Sequence, residues 1–514
     1  MKINKIKIKN FRSYKDEVEI EIGDLTAFVG KNDIGKSTVL EALDIFFNDS
    51  KGVIKLDKDD INKQALASGD TEIVISVCFE ELPTTIVIDS TNETTLSAEY
   101  LLNSNGQLEV IKKYPNAKVS PNVFIKANHP TNEDCKDLLL KKNTDLQKLI
   151  KDKSIYCSDN TRNAVMRTAI WIFHSTDLRL TETEIDITKG DTTKSIWEQL
   201  KNYLPLYSLF QSDRKNSDGD SEVQDPLKEA VRQILNDSGL KTKFLEIATE
   251  VEKKLKEVSD RTLEKLKEMN PEIAKSLNPV IPSAESLKWV DVFKNVSISG
   301  DDDIPINKRG SGVKRLILLN FFRAEAERRK TAEKIPSIIY AIEEPETSQH
   351  TEHQKKLISA FLTLAGTVNT QVIITTHSPV LVKELKFEHL RLIKATSSGK
   401  TIEPVSPHTL PYPSLNEVNF LAFSETTEEY HNELYGFIEF EGNINDFKSG
   451  KTQIDYIRVA KDSSKKTVKV ILTEKIRHQI HHPENKENTK YTEDELAQSI
   501  NLMRTFVGTL TTTT

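Results

Sequence analysis

Eight consecutive residues, Gly30-Lys31-Asn32-Asp33-Ile34-Gly35-Lys36-Ser37, have the spacing G-x-x-x-x-G-K-S that wraps a chain around phosphates. Successive backbone N–H groups of such a loop converge on an anion at a helix start. The Lys36 amine then reaches the β and γ phosphates of ATP and the Ser37 hydroxyl ligates Mg²⁺, while Gly30, Gly35 and Thr38 complete the nucleotide-binding set. Hydrolysis needs a second, carboxylate element, and IIYAIEEP supplies it. An apolar run ends at Ile342, and Glu343 and Glu344 follow at the edge where parallel sheets present ligands. Glu343 is expected in the magnesium shell and Glu344 as the group that activates water. Many such ATPases place Asp at the first position, so Glu343 lengthens the reach by one methylene. Further on, QVIITTHSP ends a strand-like run on His377, placed to touch the γ-phosphate.

These groups need elements to hold them. Residues 3 to 11 and 17 to 22 alternate polar with apolar, the pattern of antiparallel strands, and 25 to 29 is a short apolar run of the buried-strand kind. Gly30 and a helical pattern through Phe47 follow. Strand character continues at 73 to 80 and 96 to 113, and it returns at 335 to 342, 371 to 376 and 389 to 395. Between about 131 and 285 the pattern reads as helical. There Phe244, Ala248, Val251, Leu255 and Val258, and then Leu266 and Met269, recur at spacings of four and three, the signature of a short coiled coil. Lys308-Arg309-Gly310-Ser311-Gly312-Val313-Lys314-Arg315 forms a glycine-serine turn that opens a further helix, whose N-terminal N–H groups offer an anion site.

In order, NFRS at 10–13, GKNDIGKS, RGSGVKR, IEEPE and TTHSP resemble the motif set of ABC-type AAA-family ATPases of the RecF, Rad50, SMC and OLD kind. The resemblance spans residues 1–130 and 290–395. It implies an α/β fold: an ABC-type P-loop ATPase head with a helical insertion and an α-helical C-terminal domain. The expected division is 1–130 for the first lobe, 131–290 for the insertion, 291–404 for the second lobe and 405–514 for the C-terminal domain. It further implies that Arg12 and Asn32 contact nucleotide. Ser311 and Gly312 would reach the γ-phosphate bound by another copy, closing a head-to-tail dimer. A narrower resemblance rests on Leu209–Arg214, Ser414–Asn419 and HNELYG at 431–436. It is to the ATPase subunits of Septu anti-phage systems, which act with a separately encoded HNH nuclease.

The C-terminal stretch offers chemistry of its own. Arg477 and His482 stand as R-x4-H, which resembles the motif of metal-independent HEPN ribonucleases. Residues 451–477 hold eight Lys/Arg against three Asp/Glu, a local +5 that suits a phosphodiester backbone. Partner docking by this region and metal binding by His478, His481 and His482 are the competing readings. Glu441–Asp446 superficially resembles the Toprim metal site of OLD-type nucleases, but its spacing is one residue too long and no D-x-D follows.

Composition sets the outer limits. The 514 residues carry 71 Lys plus Arg against 78 Asp plus Glu, a formal charge of −7, so the whole chain is no polycation. With 37% hydrophobic and 29% charged residues, wholesale disorder is excluded. Three cysteines without a C-x-x-C rule out Cys-ligated zinc and a disulfide framework, which suits a reducing compartment. MKINKIKIKNFRSY has no apolar core of a signal peptide, and the longest apolar stretch, Leu316–Leu319, is too short for a bilayer. The expectation is a cytoplasmic protein.

Overall fold

The computed structural model describes residues 1–49, 52–89, 92–188, 191–211, 234–235, 238–269, 337–347, 349–396, 399–405, 414–460 and 463–511. Ser311 and Gly312, with the rest of the glycine-serine turn at 308–316, lie outside them. Sixteen strands are described: β1 (Lys2–Lys9), β2 (Val18–Glu21), β3 (Leu25–Val29), β4 (Glu72–Glu80), β5 (Ile86–Asp89), β6 (Asn92–Thr94), β7 (Leu108–Pro115), β8 (Asn122–Pro130), β9 (Leu180–Asp186), β10 (Leu206–Phe210), β11 (Ile338–Glu343), β12 (Thr370–Thr376), β13 (Leu390–Thr396), β14 (Gly399–Pro404), β15 (Gln453–Val459) and β16 (Lys465–Ile471).

Two six-stranded sheets carry the region of the phosphate loop. The central one runs β10-β11-β12-β3-β13-β14, parallel from β10 to β13, with β14 added antiparallel. Its strands read LTAFV, IIYAIE and TQVIITT, and β3 and β12 are buried along their whole length. Continuous apolar runs of this kind belong to parallel sheets covered on both faces. The second sheet, β2-β1-β4-β7-β8-β9, is antiparallel, and β1 alternates buried Ile with partly exposed Lys or Asn over most of its length. One apolar core joins the two. Ile6, Ile8, Ile75 and Val77 meet Phe28, Ile339 and Ile373 across helix α1 (Lys36–Asn48), which contributes Val39, Leu43 and Phe46. The buried Gln371 side chain stitches the sheets directly. Its amide donates to the carbonyls of Ile3 (2.8 Å) and Gly23 (3.1 Å) and its Oε1 accepts the Ile3 N–H at 2.7 Å.

The stretch expected to be a purely helical insertion contains two strands. β9 pairs with β8 at the edge of the antiparallel sheet, and β10 joins β11 in the central sheet. The reason is packing: Tyr207, Leu209 and Phe210 are buried only because an apolar sheet edge lies beside them, which a local helix pattern cannot reveal. Helix Asn163–Phe173 anchors this region through Arg167, whose guanidinium makes a fully buried bidentate pair with Glu99 at 2.7 and 3.0 Å. The expected coiled-coil segment is one helix, Ser238–Met269, with Ala248 buried and Val251, Leu255 and Val258 exposed.

The apolar residues after 405 divide between two cores. Val418 and Ala422 of helix Leu415–Phe423 are buried against the outer face of the central sheet with Ala27, Tyr340, Phe361 and Ile374. Tyr430, Leu434, Ile438, Phe447, Ile476, Ile500 and Met503 form a separate core. Leu415, Val418 and Leu421, which lie within the stretch 405–514 expected to be a C-terminal domain, therefore pack with the central sheet. Only Phe420 packs the other way. The C-terminal unit is also not wholly helical, since β15 and β16 form an antiparallel hairpin within it. Among the described residues no helix is long and apolar enough to cross a membrane.

Candidate active site

The phosphate loop leaves the C-terminal end of β3. At Gly30, φ is +153°, and a Cβ there would stand 3.1 Å from the Ile393 carbonyl oxygen and from a methyl of Ile34. Gly35 precedes α1 with φ +104°, and its Cβ would stand 2.8 Å from Ser13 Oγ. Both positions therefore disfavour a side chain by conformation, in surroundings that are tight. The buried Tyr14 hydroxyl donates to the Gly35 carbonyl at 3.0 Å and fixes the turn from outside. Asn32 sits exposed at the loop tip, and Lys400 of β14 donates to the Asp33 carbonyl at 3.3 Å.

The Lys36 amine is buried and donates to the carbonyls of Gly30 (3.0 Å) and Lys31 (2.9 Å). Burial pulls its pKa below the usual lysine value, opposed by the carboxylates of Glu344, Glu346, Asp33 and Glu343. Thr38 is buried in the first turn of α1. One position earlier, the Ser37 hydroxyl donates to Glu343 Oε1 in a short contact that spans 306 residues of sequence. A hydroxyl and a carboxylate converging in this way are the hard oxygen donors that suit Mg²⁺, so these residues fit that ion.

Glu344 stands next to this pair with φ +39°, a left-handed conformation unusual for a residue with a side chain. Its N–H is shared between the carbonyl and hydroxyl oxygens of Thr375, each at 3.1 Å, which keeps the turn in place. Its carboxylate lies 4.0 Å from the Lys36 amine and 3.3 Å from His377 Nδ1. Parallel pairing of β11 with β12 sets Glu343 opposite Thr375, which explains how His377 comes beside Glu344. Lys36, Ser37, Glu343, Glu344 and His377 thus form one cluster at the carboxyl edge of the sheet.

Arg12, of which a nucleotide contact was expected, stands beside α1. Its guanidinium is taken by Asp60 (2.7 Å) and by Glu41 on α1, and it lies over the Phe11 ring. The contacts shown tie the 10–14 loop to α1, because two carboxylates compensate its charge more strongly than loop carbonyls could. Glu41 also accepts from Gln211 Nε2 at 3.3 Å. Gln211 follows β10, whose Phe210 is level with Ile342, so it stands beside Glu343. Of the stretch Leu209–Arg214, Gln211 is the described member at the site. Glu346 closes the IEEPE motif but had no role assigned to it, whereas Tyr14, one residue past NFRS, and Lys400, which arrives by hairpin pairing, carried no such signal.

Arg477 and His482 have different partners within the chain. Arg477 lies on helix Leu472–His481, whereas His482 follows its end with φ −130° and ψ 63°. Arg477 pairs with Glu439 at 3.0 Å and lies over the Tyr435 ring, whereas the exposed His482 faces Glu484 at 3.1 Å. His478 accepts from Arg458 at 2.9 Å, and burial lowers its pKa. Among the described residues no group of three His, Cys, Asp or Glu is arranged to hold a metal. Glu441–Asp446 follows helix Glu428–Phe440 instead of a strand, which removes the geometry a Toprim site requires.

The motif cluster agrees with a family model described as AAA ATPase domain, which matches residues 1–382. The chain belongs to the AAA ATPase domain family. The match takes in the ATPase machinery from the phosphate loop to His377, and it ends before β13, Lys400 and the C-terminal unit. The OLD nuclease of Thermus scotoductus (strain ATCC 700910 / SA-01) is 23% identical over 403 residues, 78% of this chain and 63% of that protein. The chain therefore spans less than two thirds of that relative's length. Among solved structures, the SMC head domain from Thermotoga maritima is 12% identical with a TM-score of 0.33, covering 79% of this chain and all of that one. An Smc head with an extended coiled coil, bound to the C-terminal domain of ScpA derived from Pyrococcus furiosus, is also 12% identical over 79% of this chain and 96% of that one, with a TM-score of 0.36.

Proposed function

We propose that the chain is an ATP-binding and hydrolysing regulatory subunit whose nucleotide cycle controls a separately encoded HNH-type nuclease in defence against phage, in the cytoplasm. The observation that carries the hydrolytic part is the convergence of Ser37, Glu343, Glu344 and His377 around Lys36, from three separate stretches of sequence. Lys36 and the loop N–H groups hold the ATP phosphates. Glu344 takes the proton of the attacking water and His377 binds the γ-phosphate. Ser37 and Glu343 hold Mg²⁺, which when bound neutralises charge on the phosphate oxygens. Ser311 and Gly312 of a second copy complete the site in a head-to-tail dimer, and Asn32 adds a nucleotide contact at the loop tip.

The nuclease and nucleic-acid part rests on similarity to a protein named as OLD nuclease, on the narrower Septu resemblance, and on the basic segment 451–477. In this reading the C-terminal unit docks the nuclease or its polynucleotide. Purification from the native operon tests it. Co-elution of a nuclease with this chain, and loss of polynucleotide cutting with Glu344→Gln, are the expected results. Isolation of the chain alone, with RNA cleavage that disappears in His482→Ala, would replace it by the self-contained ribonuclease.

A further inference from the structure

Glu346 lies three residues beyond Glu343 and is 4% exposed. Its Oε1 accepts from the Thr376 hydroxyl at 2.7 Å and from the main-chain N–H of His377 at 2.8 Å. The same oxygen stands 3.4 Å from His377 Nδ1, the ring nitrogen that lies 3.3 Å from Glu344. A carboxylate removed from water must recover its hydration from protein donors. Here both hydrogen-bond donors come from the two residues that end β12 and begin the switch. Thr376 is held in turn by the Ser378 N–H at 3.0 Å, and the Ser378 hydroxyl donates to Gln354 at 2.9 Å. The side chain thus clasps the turn after β11 to the turn after β12, with Glu344 and His377 facing each other across the join.

We infer that Glu346 is a positioning residue for hydrolysis: its carboxylate clamps Thr376 and His377 so that the imidazole stays beside Glu344. The assignment rests on the ATPase reading given above. Glu346 adjoins the phosphate site without hydrogen-bonding to it: its hydrogen bonds shown go to the switch, and it meets Lys36 through the field of its charge. Its loss should therefore slow turnover while leaving nucleotide affinity in place. A residue that merely filled space would show the reverse, a folding defect with no preference for the chemical step.

Full-length wild type, Glu346→Ala, Glu346→Gln, His377→Ala and the Glu346→Ala/His377→Ala double variant are compared by ATP calorimetry and steady-state hydrolysis. Glu346→Ala is expected to bind ATP within about threefold of wild type, with kcat lower by about 30-fold or more. Glu346→Gln should recover most of that kcat, because its amide oxygen accepts the same two hydrogen bonds. The double variant should be no slower than His377→Ala, since nothing remains to be positioned. Additive losses, or a raised KM with unchanged kcat, overturn the assignment. If Glu346→Ala does not fold, Thr376→Val removes one donor of the clamp, and the same cycle with His377→Ala decides by the same outcomes. A wild type that binds ATP but never hydrolyses it would instead overturn the ATPase reading beneath the assignment.

Discussion

Lys36 holds its charge in a nearly closed setting, compensated by two loop carbonyls and by carboxylates opposite. Phosphate oxygens are stronger partners than neutral carbonyls, so ATP binding exchanges weak contacts for charge-assisted ones. Lys36→Ala should weaken ATP binding by about 10- to 100-fold or more, the weight of such a bond, as calorimetry would register. Unchanged affinity would remove the phosphate loop from the argument. Glu344 supplies the complementary test. It holds a left-handed backbone conformation that costs about 1–3 kcal/mol, a strain sustained here by the shared bond to Thr375. Glu344→Gln preserves size and turn but removes the base, so ATP should stay bound while hydrolysis falls by about 100-fold or more. A phosphate-release assay showing wild-type turnover in this variant would reassign the base.

Elements carry a different kind of prediction, because helix Leu415–Phe423 belongs to the ATPase region and helix Glu428–Phe440 does not. Removing 425–514 should leave ATP binding intact, since the separate core it deletes starts at Tyr430. Removing 405–514 also strips Val418 and Ala422 from the outer face of the sheet, and a buried side chain the size of valine is worth about 1.5–3 kcal/mol. The longer deletion should melt lower than the shorter one; equal melting temperatures would return the boundary to 405.

The same C-terminal unit has a pH dependence with a definite sign. His431 is fully buried, its Nε2 lies 3.0 Å from Ser499 Oγ, and burial pushes its pKa down to about 4 from an ordinary 6.5. Above pH 6.5 both folded and unfolded histidine are neutral. Between about 6.5 and 4 the unfolded chain takes up a proton that the folded chain resists, so stability falls as the pH drops through that window. The loss is roughly 3 kcal/mol at most. Urea midpoints of wild type should fall more steeply over this range than those of His431→Leu, and parallel falls would show that another group is responsible.

At the scale of the whole molecule, the proposed dimer is the feature to test. An acidic chain of −7 has no general attraction for a second copy, so association must come from specific contacts closed around nucleotide. Glu344→Gln with ATP should hold a dimer long enough for light scattering to see it. Ser311→Arg, which places a bulky cation where the glycine-serine turn would meet phosphate, should return it to monomer. A monomer under every nucleotide condition, with turnover per chain independent of concentration, would rule the shared site out.

The sequence alone specified the phosphate loop, the paired glutamates and the switch histidine, because each combines a fixed local spacing with a strand that delivers it. It also marked the buried parallel strands, whose unbroken apolar runs admit few other placements. Several features depended on the tertiary structure. β10 is a strand because the edge of β11 lies beside it, and the helix after Ser414 serves the head because the outer sheet face needed covering. Arg12 pairs with Asp60 and Glu41, two residues whose nearness no spacing records. Glu346 gained its place from the register of β11 against β12, which sets the donors of Thr376 and His377 under its carboxylate. Local chemistry is written along the chain; which buried charge meets which donor is decided only when strands distant in sequence are aligned.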